Sequence, residues 1–454
     1  MARILLIEAV APQKSRTAME LTFPMGPMYL AGALRRNASH TIDILDTKIC
    51  EKPLKELATR LKGPRPDVIG IKAYSRDVDF LASVVAACRQ QAPGAYIILG
   101  GPHANAQPEQ AMEQLAINCL VLHEGEEVLP AIVEHLADGR ALTDITGLYL
   151  RQGKEVVYTG ERAFIDDLDS LAMPAWDLAV NPVYDQRYHR FHEGDPRYPD
   201  VYQVREKSMT LFTSRGCPYQ CIYCHNIFGK RLRTHSAAYV WRQLATLYQK
   251  YGVHQFYIWD DIFNLDARRA HRICDLIISS GYDIRLSFIN GLRGDILTEE
   301  LLYKLKQAGT FFISYAIETA APRLQKLIKK RVNLDKLKRM ITVTSREAGI
   351  ITQGYFMLGF PGETRKELEQ TVRYAIDSDL DIASFFVVNP FAGTELGRMA
   401  KQERTSGYYD VSQSLCEVSA EELRNLLFHA QIRFYGTQGR VDRTFAKARY
   451  FRSH

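Results

Sequence analysis

Three cysteines fall within eight positions of the stretch "SRGCPYQCIYC": Cys217, Cys221 and Cys224, spaced Cys-x-x-x-Cys-x-x-Cys, in a chain of 454 residues with 8 cysteines. In a reducing compartment, clustered thiols point to metal binding or catalysis rather than disulfides. A structural zinc takes four ligands, usually as two pairs. His225 is adjacent to Cys224 and sterically awkward as a fourth ligand, and the remaining cysteines (50, 88, 119, 274 and 416) are scattered. A [4Fe–4S] cluster normally takes four thiolates. Three would leave one iron open to bind a substrate or cofactor directly. Because the motif follows the apolar run "MTLFT", its loop is expected at the end of a strand.

That strand opens a series. "MTLFTSRG", "QFYIWDD", "RLSFING", "FFISYAIET", "TQGYFMLGFPG" and "ASFFVVNP" alternate with helix-period segments, which predicts a partial (β/α)6 barrel over 206–400. Thr364 and Glu367 fit a capping box, and Gly309 and Gly349 stand where helix C-caps belong. Ahead of it, "RILLIE", "TIDILD", "DVIGIKAYS", "AYIILGG" and "CLVLHEG" predict five strands of an α/β, doubly wound Rossmann-like domain over 1–140. Its ligand site belongs at the strand C-termini. Residues 141–205 are expected as a connector that includes a small hairpin, "GLYLRQGKEVVY", and 401–454 as a short helical region. Its basic, aromatic end is expected to pack on the barrel.

Net charge is +6, which suits an anionic ligand but does not indicate nucleic acid. No apolar run is long enough to span a membrane, and Glu8 interrupts the N-terminal apolar run, so no signal peptide is expected. The expectation is a cytoplasmic monomer acting on a small-molecule substrate.

With those residues in hand, the second half resembles the radical S-adenosylmethionine (SAM) superfamily. The resemblance implies a [4Fe–4S] cluster held by Cys217, Cys221 and Cys224, with SAM on the open iron and a 5′-deoxyadenosyl radical as product. A reductant such as flavodoxin or ferredoxin would supply electrons. By the same resemblance Tyr223 lies beside the adenine. Asp260 and Asp261 in "IWDD" contact the SAM amino group, and Arg293 in "NGLRGD" holds its carboxylate. Glu318 in "YAIET" bonds the ribose hydroxyls, and Gly359 in "FMLGFPGET" lies near the adenine edge.

The first half resembles the cobalamin-binding domain fused to many such enzymes, through "FPMGPMYLAG", "IKAYSRD", "ILGGPHA" and "HEGEE". It implies corrin contacts from Ser75, Gly100, Gly101, His103, Glu124 and Gly125. The Asp-x-His-x-x-Gly motif, whose histidine ligates cobalt in other cobalamin domains, does not occur, so Tyr74, Ser75 or Arg76 is the expected neighbour of the metal. The outcome implied is methyl transfer to an unactivated carbon, with cyclisation, oxygenation or ring rearrangement as alternatives. A methylthiotransferase would need a second cluster on Cys50, Cys88 and Cys119. Yet Cys88 is expected inside a helix and Cys119 at the start of a strand. A non-catalytic corrinoid carrier would leave the cysteine loop idle.

Overall fold

The computed structural model describes all residues except 12–22, 37–38, 181–200, 206, 226, 401–413, 438 and 454. The chain divides into two compact units, Met1–Tyr198 and Pro199–His454.

In the first unit β1 (Arg3–Ala9), β2 (Thr41–Asp46), β3 (Val68–Ala73), β4 (Tyr96–Gly100) and β5 (Cys119–Val121) pair in parallel in the order 2-1-3-4-5. β1 is buried from Ile4 onward. Such near-continuous burial is what a parallel sheet covered on both faces demands. Leu5, Ile7, Ile69, Ile71, Ile97 and Leu99 form a core with Leu81, Val85 and Cys88 of helix Val78–Gln91. The strand order reverses between β1 and β3, and the crevice above such a switch point is where open α/β sheets bind ligands. The expected hairpin forms, as β6 (Leu148–Gln152) and β7 (Glu155–Tyr158), but it is no mere connector. β6 pairs antiparallel with β5 and extends the same sheet. Arg35 holds Asp177 at 2.7 Å, so the first unit runs well past residue 140.

In the second unit β8 (Ser208–Leu211), a two-residue pair β9 (Ser214–Arg215) and β10 (Arg233–Thr234), β11 (Gln255–Ile258), β12 (Arg285–Leu292), β13 (Thr310–Glu318), β14 (Ile351–Leu358) and β15 (Ile382–Val387) follow one another. β8 and β11–β15 make six parallel strands in chain order, the expected partial barrel. Helices intervene as expected, with the Thr364–Glu367 capping box formed. Gly309 and Gly349 have φ of 90° and 68°, the left-handed conformation of a helix end. A Cβ on Gly309 would stand 1.9 Å from the Ile284 carbonyl oxygen.

The chain end packs on this barrel. Phe451 and Ala448 of helix Arg440–Ser453 join a core with Phe311, Phe312, Ile351 and Ile382. Asp381 is the anchor. Its carboxylate accepts from Arg443 Nε (2.9 Å), Lys447 Nζ (2.7 Å) and Thr352 N (2.9 Å), and it is 1% exposed. Asp381→Asn would leave two cations without their buried charge partner, at a cost of about 3 kcal/mol. The expected result is a lowered denaturation midpoint with first proteolytic cuts in 440–453; an unchanged midpoint would remove this anchor from the account.

Candidate functional site

The cysteine loop is closed at its base before any ligand is considered. β9 and β10 pair Ser214 with Thr234 and Arg215 with Arg233, so residues 216–232 leave and return at one place. Gly216 has φ 85°, and a Cβ there would stand 2.3 Å from the Arg231 carbonyl oxygen, so only glycine fits the turn. Asp260, beyond the end of β11 and 2% exposed, accepts from Thr213 N (2.6 Å), Thr213 Oγ1 (2.5 Å) and Ser214 Oγ (2.6 Å). Buried Arg269 donates to the Thr213 carbonyl (2.5 Å). Asp261 accepts from Gly216 N at 3.0 Å. Burial, reinforced by Asp260 and opposed by that hydrogen bond, pushes the Asp261 carboxyl up to about 6. Both acids therefore brace the loop, and Asp260 has its oxygens committed within the protein.

The three thiols share one electrostatic neighbourhood. Cys217 and Cys224 are raised above the ordinary thiol range, first by loss of solvent and then by Cys221 and Asp261, although Cys224 keeps an open surface. Among the described residues no three of His, Cys, Asp or Glu converge closely enough to hold a single metal ion.

Glu318 ends β13 as expected, and its backbone is left-handed at φ 66°, a conformation that costs a non-glycine residue about 1 kcal/mol. Tyr223 OH donates to Glu318 Oε1 at 3.0 Å, and Lys330 Nζ donates to the same oxygen at 3.1 Å. No bond to Oε2 comes from the described residues. One oxygen orients the carboxylate and the other is left for a ligand, which suits a ribose hydroxyl. Tyr223 lies against an apolar cluster with Phe360, Ile222, Leu324 and Leu396. Burial alone would lower Lys330; Glu318 and then Cys221 raise it overall, so it stays charged beside the thiols. Lys330 escaped the sequence reading, lying within the ordinary-looking run "IKKRV".

Arg293 is engaged within the protein. It lies 3.9 Å from the centroid of the Tyr219 ring, between two of the cysteines, and donates to Asp295 (3.0 Å) and the Arg331 carbonyl (3.1 Å). Three other polar side chains of the second unit are also bonded within the protein: Tyr315 to Thr344, Tyr355 to the Ile289 carbonyl and Asn290 to the Asp260 carbonyl. The His-, Arg- and Tyr-rich segment "RYHRFHEGDPRYPD" lies outside the described residues.

Gly359 has φ 98°, and Glu363, also missed, fixes its turn. Glu363 Oε2 accepts from Gly359 N (2.7 Å) and Phe360 N (2.9 Å), while Oε1 is buried with no partner among the described residues. Burial pushes this carboxyl up to about 7 despite the two N–H donors. A folded value above the unfolded one favours the native state at low pH, and the contribution disappears as pH rises from about 4.5 through 7. The wild-type melting point is expected to fall over that window relative to Glu363→Gln, by the equivalent of about 3 kcal/mol. Parallel melting curves across pH would refute it.

In the first unit the strand ends carry the expected residues. Ser75 Oγ meets His103 Nδ1 at 3.1 Å, and burial pushes the His103 imidazole below its ordinary range. Tyr74 OH accepts from Lys72 Nζ (3.0 Å), which also binds buried Glu8 (2.7 Å), and Arg76 lies 5.6 Å from the Tyr74 ring centroid. Gly101 is required by its φ of 86° and by the Lys72 stem, 2.6 Å from where a Cβ would stand. Gly100 is not: a Cβ there would meet nothing closer than 3.9 Å, which leaves room for a ligand to approach the backbone. Glu124 is buried and accepts from Ile165 N at 2.8 Å, and a Cβ at Gly125 would stand 3.0 Å from Leu30.

Residues 211–375 match the family model of the radical SAM superfamily, and residues 16–133 match that of the B12-binding domain. The chain is a cobalamin-dependent radical SAM enzyme. It is 29% identical to an uncharacterized methyltransferase of Pyrococcus horikoshii over 91% of this chain and 87% of the relative. It is 25% identical to the cytidylyl-2-hydroxyethylphosphonate methyltransferase of Streptomyces wedmorensis, over 92% and 85%. It is 28% identical to the anaerobic magnesium-protoporphyrin IX monomethyl ester cyclase of Cereibacter sphaeroides over 82% of this chain, spanning 59% of that longer protein. Among solved structures, the radical SAM methyltransferase TsrM of Kitasatospora setae shares the fold, with a TM-score of 0.70 at 20% identity over 88% of this chain and 76% of its own.

The enzyme's cofactors are therefore a [4Fe–4S] cluster, SAM and cobalamin. The residues present fit them. Three thiols with no fourth suit a cluster with an open iron, Glu318 offers an oxygen to a ribose, and Gly100 is free of packing demands. No helix is long and apolar enough to cross a membrane among the described residues.

Proposed function

We propose that the enzyme methylates an unactivated carbon of a small-molecule substrate. The observation carrying this reading is that two relatives matching over nine-tenths of the chain are both named as methyltransferases. When bound, the cluster with SAM supplies a carbon-centred radical, and cobalamin supplies the methyl group. Two SAM molecules and two electrons are consumed per turnover. One SAM ends as methionine and 5′-deoxyadenosine carrying the substrate's hydrogen atom. The other gives up its methyl and leaves as S-adenosylhomocysteine.

The chain's own residues bind and orient. Cys217, Cys221 and Cys224 hold the cluster, and Asp260, Asp261 and Arg269 fix their loop. Glu318 takes the ribose hydroxyls, positioned by Tyr223 and Lys330, and Gly359 lines the adenine edge. Arg293, braced by Asp295 and stacked on Tyr219, holds the SAM carboxylate. Ser75, Gly100, Gly101, His103, Glu124 and Gly125 frame the corrin, with Tyr74 and Arg76 as neighbours of the cobalt. Ser75 holds His103 through Nδ1, which would orient the imidazole at the edge of the corrin site. Flavodoxin or ferredoxin supplies the electrons, in the cytoplasm.

The likeness to the cyclase supports a second reading, radical ring closure or oxygenation. Turnover with methyl-deuterated SAM separates the two. Methyl transfer requires S-adenosylhomocysteine in step with 5′-deoxyadenosine and label in the product. Deoxyadenosine without S-adenosylhomocysteine would rule it out and leave the cyclase reading.

A further inference from the structure

A cleft of about 1020 Å³ opens between helices Pro322–Leu327, Leu334–Thr342 and Arg365–Ile376 of the second unit. Lys326, Arg331, Lys338 and Arg373 line it, against only two carboxylates, Asp335 and Asp377. None of the four cations has an ion pair among the described residues. Their surroundings make that unusual: nearby Arg323, Arg339 and Arg365 each hold a carboxylate within 3.0 Å, on Glu367, Glu299 and Glu422.

The cleft wall is bolted to the cysteine loop. Tyr219 stacks on Arg293, whose Nη2 donates to the Arg331 carbonyl, and Asp295 accepts from Asn333 N at 3.1 Å. Lys329 and Arg331 are both left-handed, with φ of 57° and 51°. This contorted run sends Lys330 to Glu318 and the thiols while Arg331 lines the cleft. Strain of this kind persists only where the surrounding structure enforces it.

We propose that this cleft is the docking surface for an acidic electron-carrier protein of flavin or iron–sulfur type. The inference rests on the proposed function, which needs electrons at the cysteine loop. At each visit one electron leaves the reduced carrier, which is oxidised by one unit, and enters the centre held by Cys217, Cys221 and Cys224. Lys326, Arg331 and Arg373 are exposed. Exposed charges of one sign steer and orient an oppositely charged partner and lose strength with salt. A site built for a small anion would instead enclose its cations.

The test uses the full-length, anaerobically reconstituted protein and its Lys326→Glu/Arg373→Glu form, with a bacterial flavodoxin as probe. Flavodoxin affinity is measured by calorimetry at low and high salt. Deoxyadenosine formation is measured with flavodoxin and with dithionite. The double variant is expected to bind flavodoxin about tenfold more weakly at low salt, and less so at high salt. Its flavodoxin-driven rate falls with the affinity while its dithionite-driven rate is unchanged. The Lys326→Ala/Arg373→Ala form moves the same way by less. Unchanged flavodoxin affinity would overturn the proposal, as would a cleft that stabilises against heat with pyrophosphate alone. Failure of the wild type to make deoxyadenosine with either donor would count against the proposed function instead, and the calorimetry would still decide the docking.

Discussion

Cys221→Ala, reconstituted anaerobically, is expected to carry almost no iron or sulfide and to yield no 5′-deoxyadenosine, while binding cobalamin as the wild type does. Two thiolates on a loop cannot hold a cubane that already lacks a fourth protein ligand. The loss is confined because Cys217 and Cys221 are only half-buried and the loop base is held independently by Asp260, Asp261 and Arg269. Cobalamin retention follows from the front unit having its own sheet and core. Iron analysis of the wild type adds a second discrimination, with four irons expected. Eight would need Cys50, Cys88 and Cys119, which are all buried; Cys88 sits inside helix Val78–Gln91 and Cys119 opens β5. Burial pushes the Cys88 thiol up to about 12, the opposite of a ready ligand. Zinc in place of iron, or cluster retained by the variant, would bring down the assignment of the loop.

The elements were legible because each announces itself locally. All eleven expected strands form, since apolar runs bounded by Gly, Asp or Pro leave little choice between strand and turn. The cysteine loop and Glu318 were legible for a different reason: their spacing in sequence is their chemistry. What escaped was set by partners far along the chain. Nothing near Lys330 marks it off from Lys329, yet one pairs with Glu318 and the other with Glu395. Asp260 and Asp261 look alike, but a neighbouring strand end supplies Thr213 and Ser214 to one and Gly216 to the other. The stacking of Arg293 on Tyr219 could not be read because Tyr219 lies 74 residues earlier in the chain. Hairpin β6–β7 has an exposed outer edge and so reads as surface in the sequence, although β6 pairs with β5 and extends the sheet.

The second large effect belongs to Glu318. Its carboxylate is 9% exposed, and Lys330, at 14%, gives it a cation in a partly desolvated setting. Glu318→Gln keeps the shape and removes the charge. A charged hydrogen bond to a ligand contributes about 1.5–3 kcal/mol, so the SAM dissociation constant is expected to rise about tenfold to a hundredfold. Tyr223→Phe removes only the donor that orients Oε1, and a rise of about threefold to tenfold follows from one lost side-chain bond. Lys330→Met tests the same carboxylate from the other side. It leaves Glu318 charged but loosely oriented, and it takes a cation from beside Cys221 and Cys224. A weaker SAM affinity and a lowered cluster potential are therefore expected together, whereas Glu318→Gln, which keeps Lys330⁺, is expected to move the potential the opposite way. That opposition separates positioning from general loss of structure, because a merely damaged fold has no reason to shift the two potentials apart. If Glu318→Gln binds SAM as tightly as the wild type, the free Oε2 serves some other ligand. The strained backbone at φ 66° would then need a different explanation.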